Sequence, residues 1–213
     1  MQKCLFYGTV IPGQPPVYVG IYVDDIIYFS PSDEVEQKFE EGLSTIGSVD
    51  FMGQVSLFLG TEFSWVQHSD GHLTVSLTQQ SFTETLLDSL SIIHHGSSTF
   101  LTPYRSGQSI DSIPPVPMSA SARNELRLRY QSIVGSLNWL AHTTCLDIST
   151  VVLLLAQHQS DPSPSHLEAA HYVAQYLANT KNLGNLFYQS PSLHIRSIFT
   201  LSASSVGSVY VRC

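Results

Sequence analysis

Charge is what this sequence has least of. Asp, Glu, Lys and Arg make up 12% of its 213 residues, about half of the roughly 25% usual in soluble domains. Cations are the scarcer sign: nine Lys and Arg stand against seventeen Asp and Glu, a net charge of -8. Such a balance excludes a strong long-range pull towards nucleic acid or an anionic membrane. Cysteine is scarce as well. Cys4, Cys145 and Cys213 are odd in number and have no metal-ligand spacing, which suits a reducing compartment. Long apolar runs are missing: the most apolar segment, 151–156, is far below the roughly 20 residues that cross a bilayer. The opening Met1-Gln2-Lys3 leads into only a short apolar run before Pro12 and Gly13, so it does not read as a secretion signal. These absences predict an intracellular protein, cytoplasmic or nuclear and not secreted, with no membrane partner.

What is present alternates between β-like and helical patterns. Residues 4–9 read as a strand, "IPGQPP" as a loop, and 17–23 and 26–29 as two β runs joined by a tight polar pair. "SPSDEVEQKFEEGLSTIG" reads as a helix. Ser32 can cap it, Asp33, Glu34 and Glu36 suit its positive end, and Val35, Phe39, Leu43 and Ile46 form one stripe before Gly47 stops it. Two further β runs within 55–78 flank "HSDG", and a short helix is predicted over 79–90. The stretch 94–121 is rich in Ser, Gly and Pro and reads as a linker between halves. Helices are predicted over 122–143, 147–158 and 164–180, the last with Pro in its first turn. A β-like tail closes the chain. The expected division is 1–93, a linker 94–121, a helical part 122–188, and an unassigned tail 189–213. The expected class is α+β.

The densest signal is "VYVGIYVDDIIYF", where Asp24 and Asp25 interrupt an apolar, β-branched run. At a hairpin turn strand alternation relaxes, so two adjacent carboxylates can share one rim. Paired carboxylates are hard oxygen ligands suited to Mg²⁺ or Mn²⁺, and a two-metal site activates and stabilises oxygens in phosphoryl transfer. Standing alone, an Asp-Asp pair is more simply a solvated turn.

Its context points the other way. "YVDD" between apolar strands resembles the catalytic hairpin of reverse transcriptases. "FLGTEF" (58–63), "TPY" (102–104), "YQSIVGSLNWLA" (130–141), "TCLDI" (144–148), "P-x-x-x-H" (162–166) and "YL-x-x-T" (176–180) follow in order. Together they resemble the reverse transcriptase region of a copia-type retrotransposon Pol polyprotein, over about residues 5–188. The resemblance implies the second part of a polymerase palm followed by a helical thumb and connection. It also implies Asp24 and Asp25 as catalytic and metal-binding residues, with Phe58, Leu59 and Gly60 supporting the primer. The implied cofactor is Mg²⁺ or Mn²⁺, and the implied partner a primer-template, met weakly by Arg123, Arg127 and Arg129.

Several departures limit that expectation. Residues 1–23 contain no Asp or Glu, so the third polymerase carboxylate and the nucleotide-gripping fingers are missing from this chain. Val49 stands at a family lysine, Cys145 and Leu146 replace an Arg-Pro pair, and the helix after His166 carries His171, Tyr172, Gln175 and Ala178 where basic residues are expected. After Glu168 there is no further acid. The chain therefore reads as a polymerase by descent that is inactive alone. The missing upstream part of the polymerase is an expected partner, and self-association through apolar surface near Leu5, Phe6, Val19 and Ile21 is expected too. The alternatives are a non-catalytic remnant acting as an interaction module, and an unrelated Mg²⁺-dependent phosphotransfer enzyme. Among the remaining residues, His94-His95 reads as flexible loop, His166 and His171 as surface or capping groups, and Ser136 as helix surface. Trp65, Trp139 and Tyr176 read as core aromatics.

Overall fold

The computed structural model describes residues 4–71, 73–92, 100–105, 110, 117–188 and the backbone of 208–212. Helix and sheet are mixed. The strands are β1 (Leu5–Gly8), β2 (Val17–Tyr22), β3 (Asp25–Phe29), β4 (Asp50–Gln54), β5 (Leu57–Phe58), β6 (Thr61–Gln67), β7 (Leu73–Thr78), β8 (Asn185–Tyr188) and β9 (Ser208–Arg212). The helices are α1 (Asp33–Ser44), α2 (Gln80–Ser89), α3 (Ala120–Thr143), α4 (Ser149–Ala156) and α5 (Pro164–Thr180). A 3-10 turn at Leu146–Ile148 leads into α4.

Two compact units emerge, one from residues 1–76 and 186–213 and the other from 77–185. The division thus falls within β7 and not in the 94–121 segment read as a linker. The reason is α2, whose Leu86 packs in the cluster built on α3, α4 and α5, while Leu87 packs with Ala174 and Ala178. The described residues of 94–121 carry no regular structure before α3 starts at Ala120.

In the first unit one sheet has the order β1-β2-β3-β9-β4. β2 and β3 pair antiparallel with Tyr18 opposite Phe29 and Tyr22 opposite Asp25. The face carrying Val17, Val19, Ile26 and Tyr28 packs with Val35 and Phe39 of α1. Ser32 caps this helix, its hydroxyl oxygen accepting from the Val35 N–H at 3.4 Å. The Tyr28 hydroxyl donates to Glu40 Oε1 at 2.7 Å, tying β3 to α1. Ile46, read as the end of the stripe, lies beyond the helix and is exposed. β5, β6 and β7 lie side by side in a second sheet. The tail left unassigned contributes β9, antiparallel to both β3 and β4.

The second unit is helical. Tyr130, Ile133, Val134, Leu137, Leu140 and Ala141 fall on one face of α3 and are buried. They meet Val151, Val152 and Leu155 of α4 and the Ala169, Ala170, Val173 and Leu177 face of α5. Each fully buried large apolar side chain contributes about 1.5–3 kcal/mol. Alanines on α5 let the helices approach closely. The Tyr130 hydroxyl, which would be costly to bury alone, donates to the Leu155 carbonyl at 2.7 Å. Among the described residues no helix is long and apolar enough to cross a membrane.

Candidate functional site

The hairpin that carries the two aspartates turns one residue earlier than the sequence suggests. Strand β2 ends at Tyr22, Val23 and Asp24 form the loop, and Asp25 opens β3 opposite Tyr22. The turn is therefore Val23-Asp24, not Asp24-Asp25. Val23 has φ +56°, at the position where type II′ hairpins carry Gly. A β-branched residue in that region is a genuine outlier. Asp24 is exposed at the tip, and Asp25 is half-buried on the sheet face it shares with Tyr22.

Two carboxylates at one tip do not complete a two-metal site. Among the described residues no group of three or more His, Cys, Asp or Glu could hold a metal ion. The further acid that register brings level with Asp25 is Asp50, since both stand opposite Arg212. Two strand spacings, about 9–10 Å, separate their backbones. The residues present do not fit the metal pair implied by the resemblance.

Phe58, Leu59 and Gly60, expected within a continuous strand, lie at a second tight turn. Phe58 pairs with Thr61, and Leu59 (φ +49°) and Gly60 (φ +74°) form the two-residue loop between β5 and β6. Positive φ at both loop positions is the type I′ pattern, for which Gly60 supplies the freedom and Leu59 does not. Trp65 is half-buried and donates from Nε1 to the Val55 carbonyl at 2.7 Å.

The three arginines do not share a face. Arg123 lies 3.5 Å from Asp161 across exposed surface, and Arg127 donates to Asn124 Oδ1 at 2.8 Å. Arg129 projects about 200° around α3 from Arg127, at roughly 100° per residue. Of the histidines, His94 and His95 lie outside the described residues. His166 is buried, not at the surface, and it does cap: its Nδ1 accepts from the Ser163 N–H at 2.9 Å, while Nε2 reaches the Ile110 carbonyl at 3.1 Å. With Nδ1 accepting, Nε2 is the nitrogen left to donate. Tyr176 is buried, and its hydroxyl donates to Asp147. Trp139 is 43% exposed and so is not the core aromatic expected. Ser136 donates to the Ser132 carbonyl at 3.1 Å. The strained Val23 went unread in the sequence. Its signal was the absence of any Gly or Asn between two β runs that had to reverse.

No protein-family model matches the chain, and no solved structure matches it. Curated proteins do. A transposon Ty5-1 protein of Saccharomyces cerevisiae is 30% identical over 180 residues, 84% of this chain and 54% of that protein. The Pol polyprotein from transposon RE1 of Arabidopsis thaliana is 28% identical over 185 residues, 87% of this chain but 12% of the polyprotein. An uncharacterized mitochondrial protein of Arabidopsis thaliana is 24% identical over 182 residues, covering 69% of its length. The similarity supports a retrotransposon Pol segment. It covers 84% of this chain for the yeast relative, while the chain spans about half of that relative's length.

Proposed function

We propose that this chain is part of a retrotransposon reverse transcriptase, with the β1–β3 unit as palm and the α2–α5 unit as thumb and connection, and that alone it does not polymerise. The observation that carries the reading is the Tyr22-Val23-Asp24-Asp25 hairpin. It holds one carboxylate at its exposed tip and the next at the start of β3, with Val23 in a strained conformation of the kind that concentrates at functional sites. Similarity to transposon Pol polyproteins supports the class of enzyme. Phe58, Leu59 and Gly60 at their turn are the proposed primer support, and the proposed nucleic-acid partner is held weakly, since two of the three arginines on α3 are engaged by neighbouring side chains. In-line displacement by two metals needs carboxylates from separate strands holding ions about 3.5–4 Å apart. Among the described residues, no group of three or more acids, histidines or cysteines that could hold a metal ion joins the hairpin pair.

The test is primer extension by the 213-residue chain with Mg²⁺ or Mn²⁺, beside an Asp24→Asn, Asp25→Asn control. No extension is expected from either. Extension by the native chain that vanishes in the control would overturn the inactive reading and establish the enzyme. A second reading, a non-enzymatic interaction module, is favoured by one observation: β1 is an uncharged strand at the end of its sheet, with all four residues exposed.

A further inference from the structure

A cavity of about 280 Å³ lies within the helical unit, beside the turn that leads into α4. The two long helices of that unit end against it: Thr144 follows the last residue of α3, Thr180 closes α5, and both line the wall. A helix C-terminus carries roughly half a negative charge, so two of them together with the Asp147 carboxylate make the cavity negative. One Asp147 oxygen, Oδ2, accepts from the Tyr176 hydroxyl, which fixes the carboxylate. The charge is felt at that partner. Burial first, and then Asp147, push the Tyr176 hydroxyl up to about 12. Asn185 Nδ2 donates to the Thr143 carbonyl at 2.9 Å, so Oδ1 is the amide atom left to accept. Among the described residues no Lys or Arg lines the cavity. Lys181, next after Thr180, is bonded to Glu84 at 2.6 Å, and His142 in the last turn of α3 reaches back to the Asn138 carbonyl at 2.8 Å. Leu146 and Leu183, both exposed, give the wall an apolar part.

We infer that this cavity receives the arginine side chain of a partner protein segment, with the guanidinium on Asp147 and the aliphatic stem against Leu146 and Leu183. Three features carry the fit. The charge is complementary: the walls are negative and hold no cation of their own. The size suits one side chain, being below the roughly 300–1,000 Å³ of sites that take a whole small ligand. The lining is divided, and arginine buries its stem on apolar surface while its head meets polar groups. Its planar fork matches a carboxylate and has donors to spare for neighbouring oxygens, which a lysine ammonium does not. A metal ion fits less well, since among the described residues no group of three or more His, Cys, Asp or Glu could hold one. A negative cavity rejects phosphate, so the occupant differs from the nucleic acid of the proposed function, and the inference stands whether or not that reading does.

The experiment follows the fluorescence anisotropy of a labelled Gly-Gly-Leu-Arg-Leu-Gly-Gly peptide titrated with the full chain. A citrulline counterpart keeps the shape and loses the charge, a lysine counterpart keeps the charge and loses the fork, and agmatine serves as competitor. The arginine peptide should bind about tenfold more tightly than the citrulline peptide, and more tightly than the lysine peptide. Asp147→Asn should weaken binding about tenfold with unchanged melting, because the amide oxygen still accepts from Tyr176. Asp161→Asn removes an acid that pairs with Arg123 and does not line the cavity, and it should leave binding unchanged. Leu183→Arg, at an exposed position, supplies a guanidinium from the chain itself and should abolish peptide binding; it carries the test if Asp147→Asn melts lower. Equal binding of the citrulline or lysine peptide overturns the inference, as does equal weakening by Asp161→Asn. Agmatine that binds as tightly as the peptide overturns the partner segment and leaves a free guanidinium compound. Undiminished peptide binding by Leu183→Arg with unchanged melting overturns the site.

Discussion

Val23 is 87% exposed and gains almost nothing from burial, yet it occupies a left-handed conformation at φ +56°. That conformation costs an L-residue roughly 1–2 kcal/mol. Glycine adopts it freely but loses roughly 0.5–1 kcal/mol more chain entropy on folding, so the balance favours glycine narrowly. Val23→Gly is expected to raise the urea midpoint by an amount equivalent to about 0.5–1 kcal/mol with an unchanged slope. A lower midpoint would show that the valine makes contacts that outweigh its backbone strain. The cysteines offer a second measurement at this scale. Cys4 is exposed and Cys145 buried, and burial pushes the Cys145 thiol up, with Asp147 adding to the rise and the Thr144 hydroxyl opposing it. The thiolate is the reactive form. Native alkylation at pH 8, read by mass spectrometry, should label Cys4 and spare Cys145, whereas both label in denaturant. Equal rates in the native protein would contradict the packed position of Cys145.

At the level of elements, α1 illustrates a compromise. Its acidic first turn suits the helix dipole, but Glu36 is held above its usual range by burial first and then by Glu40 and Asp33. A folded-state rise means the native state binds that proton more tightly than the unfolded chain. The associated stability is present in full below the ordinary glutamate value of 4.5 and is lost as pH rises through the folded value. Glu36→Gln should therefore melt at a higher temperature than the native chain at pH 7, with the gap closing as pH falls below 4.5. A gap that widens on acidification would reverse the sign and refute the account. Elements governed by neighbouring residues were legible in the sequence. Ser32 capping α1 and Pro164 opening α5 are local chemistry, and the α5 bounds 164–180 match the structure. Reversals without turn chemistry were not. Valine at position 23 put a hairpin expected to turn at Asp24-Asp25 one residue earlier, and Leu59 before Gly60 hid a tight loop inside an apolar run, because long-range strand pairing overrode local preference. A helix over 79–90 and a β-like tail were legible, but the packing partners of α2 and β9 were not, because they are distant in sequence. The place of Asp24 and Asp25 at a hairpin was legible, but their unequal exposure was not, since a one-residue shift of the turn decides it.

On the scale of the whole molecule, a net charge of -8 sets copies apart, but the uncharged β1 edge carries none of it locally. β1 has β2 as its neighbour and lies at the end of the sheet order. Leu5 and Tyr7 fall on the same face as Tyr18 and Tyr22, because Leu5 stands opposite Gly20 and Tyr7 opposite Tyr18. All four side chains are exposed, and the Tyr7 and Tyr18 rings lie 6.1 Å apart. This differs from the patch expected at Leu5, Phe6, Val19 and Ile21: Val19 and Phe6 are on the opposite face, and Val19 packs towards α1. An exposed apolar edge strand offers unpaired backbone groups together with a hydrophobic face, and natural proteins blunt such edges with lysine. Sedimentation of the purified chain should therefore show mass rising with concentration. A Leu5→Lys, Tyr7→Lys variant should stay monomeric over the same range, since two ammonium groups would have to be desolvated to restore the contact. Helical and strand circular dichroism should be unchanged in the variant, because neither side chain is in the core. If the native chain stays monomeric, or the variant associates equally, the β1 edge is not the contact and the interaction-module reading loses its one structural support.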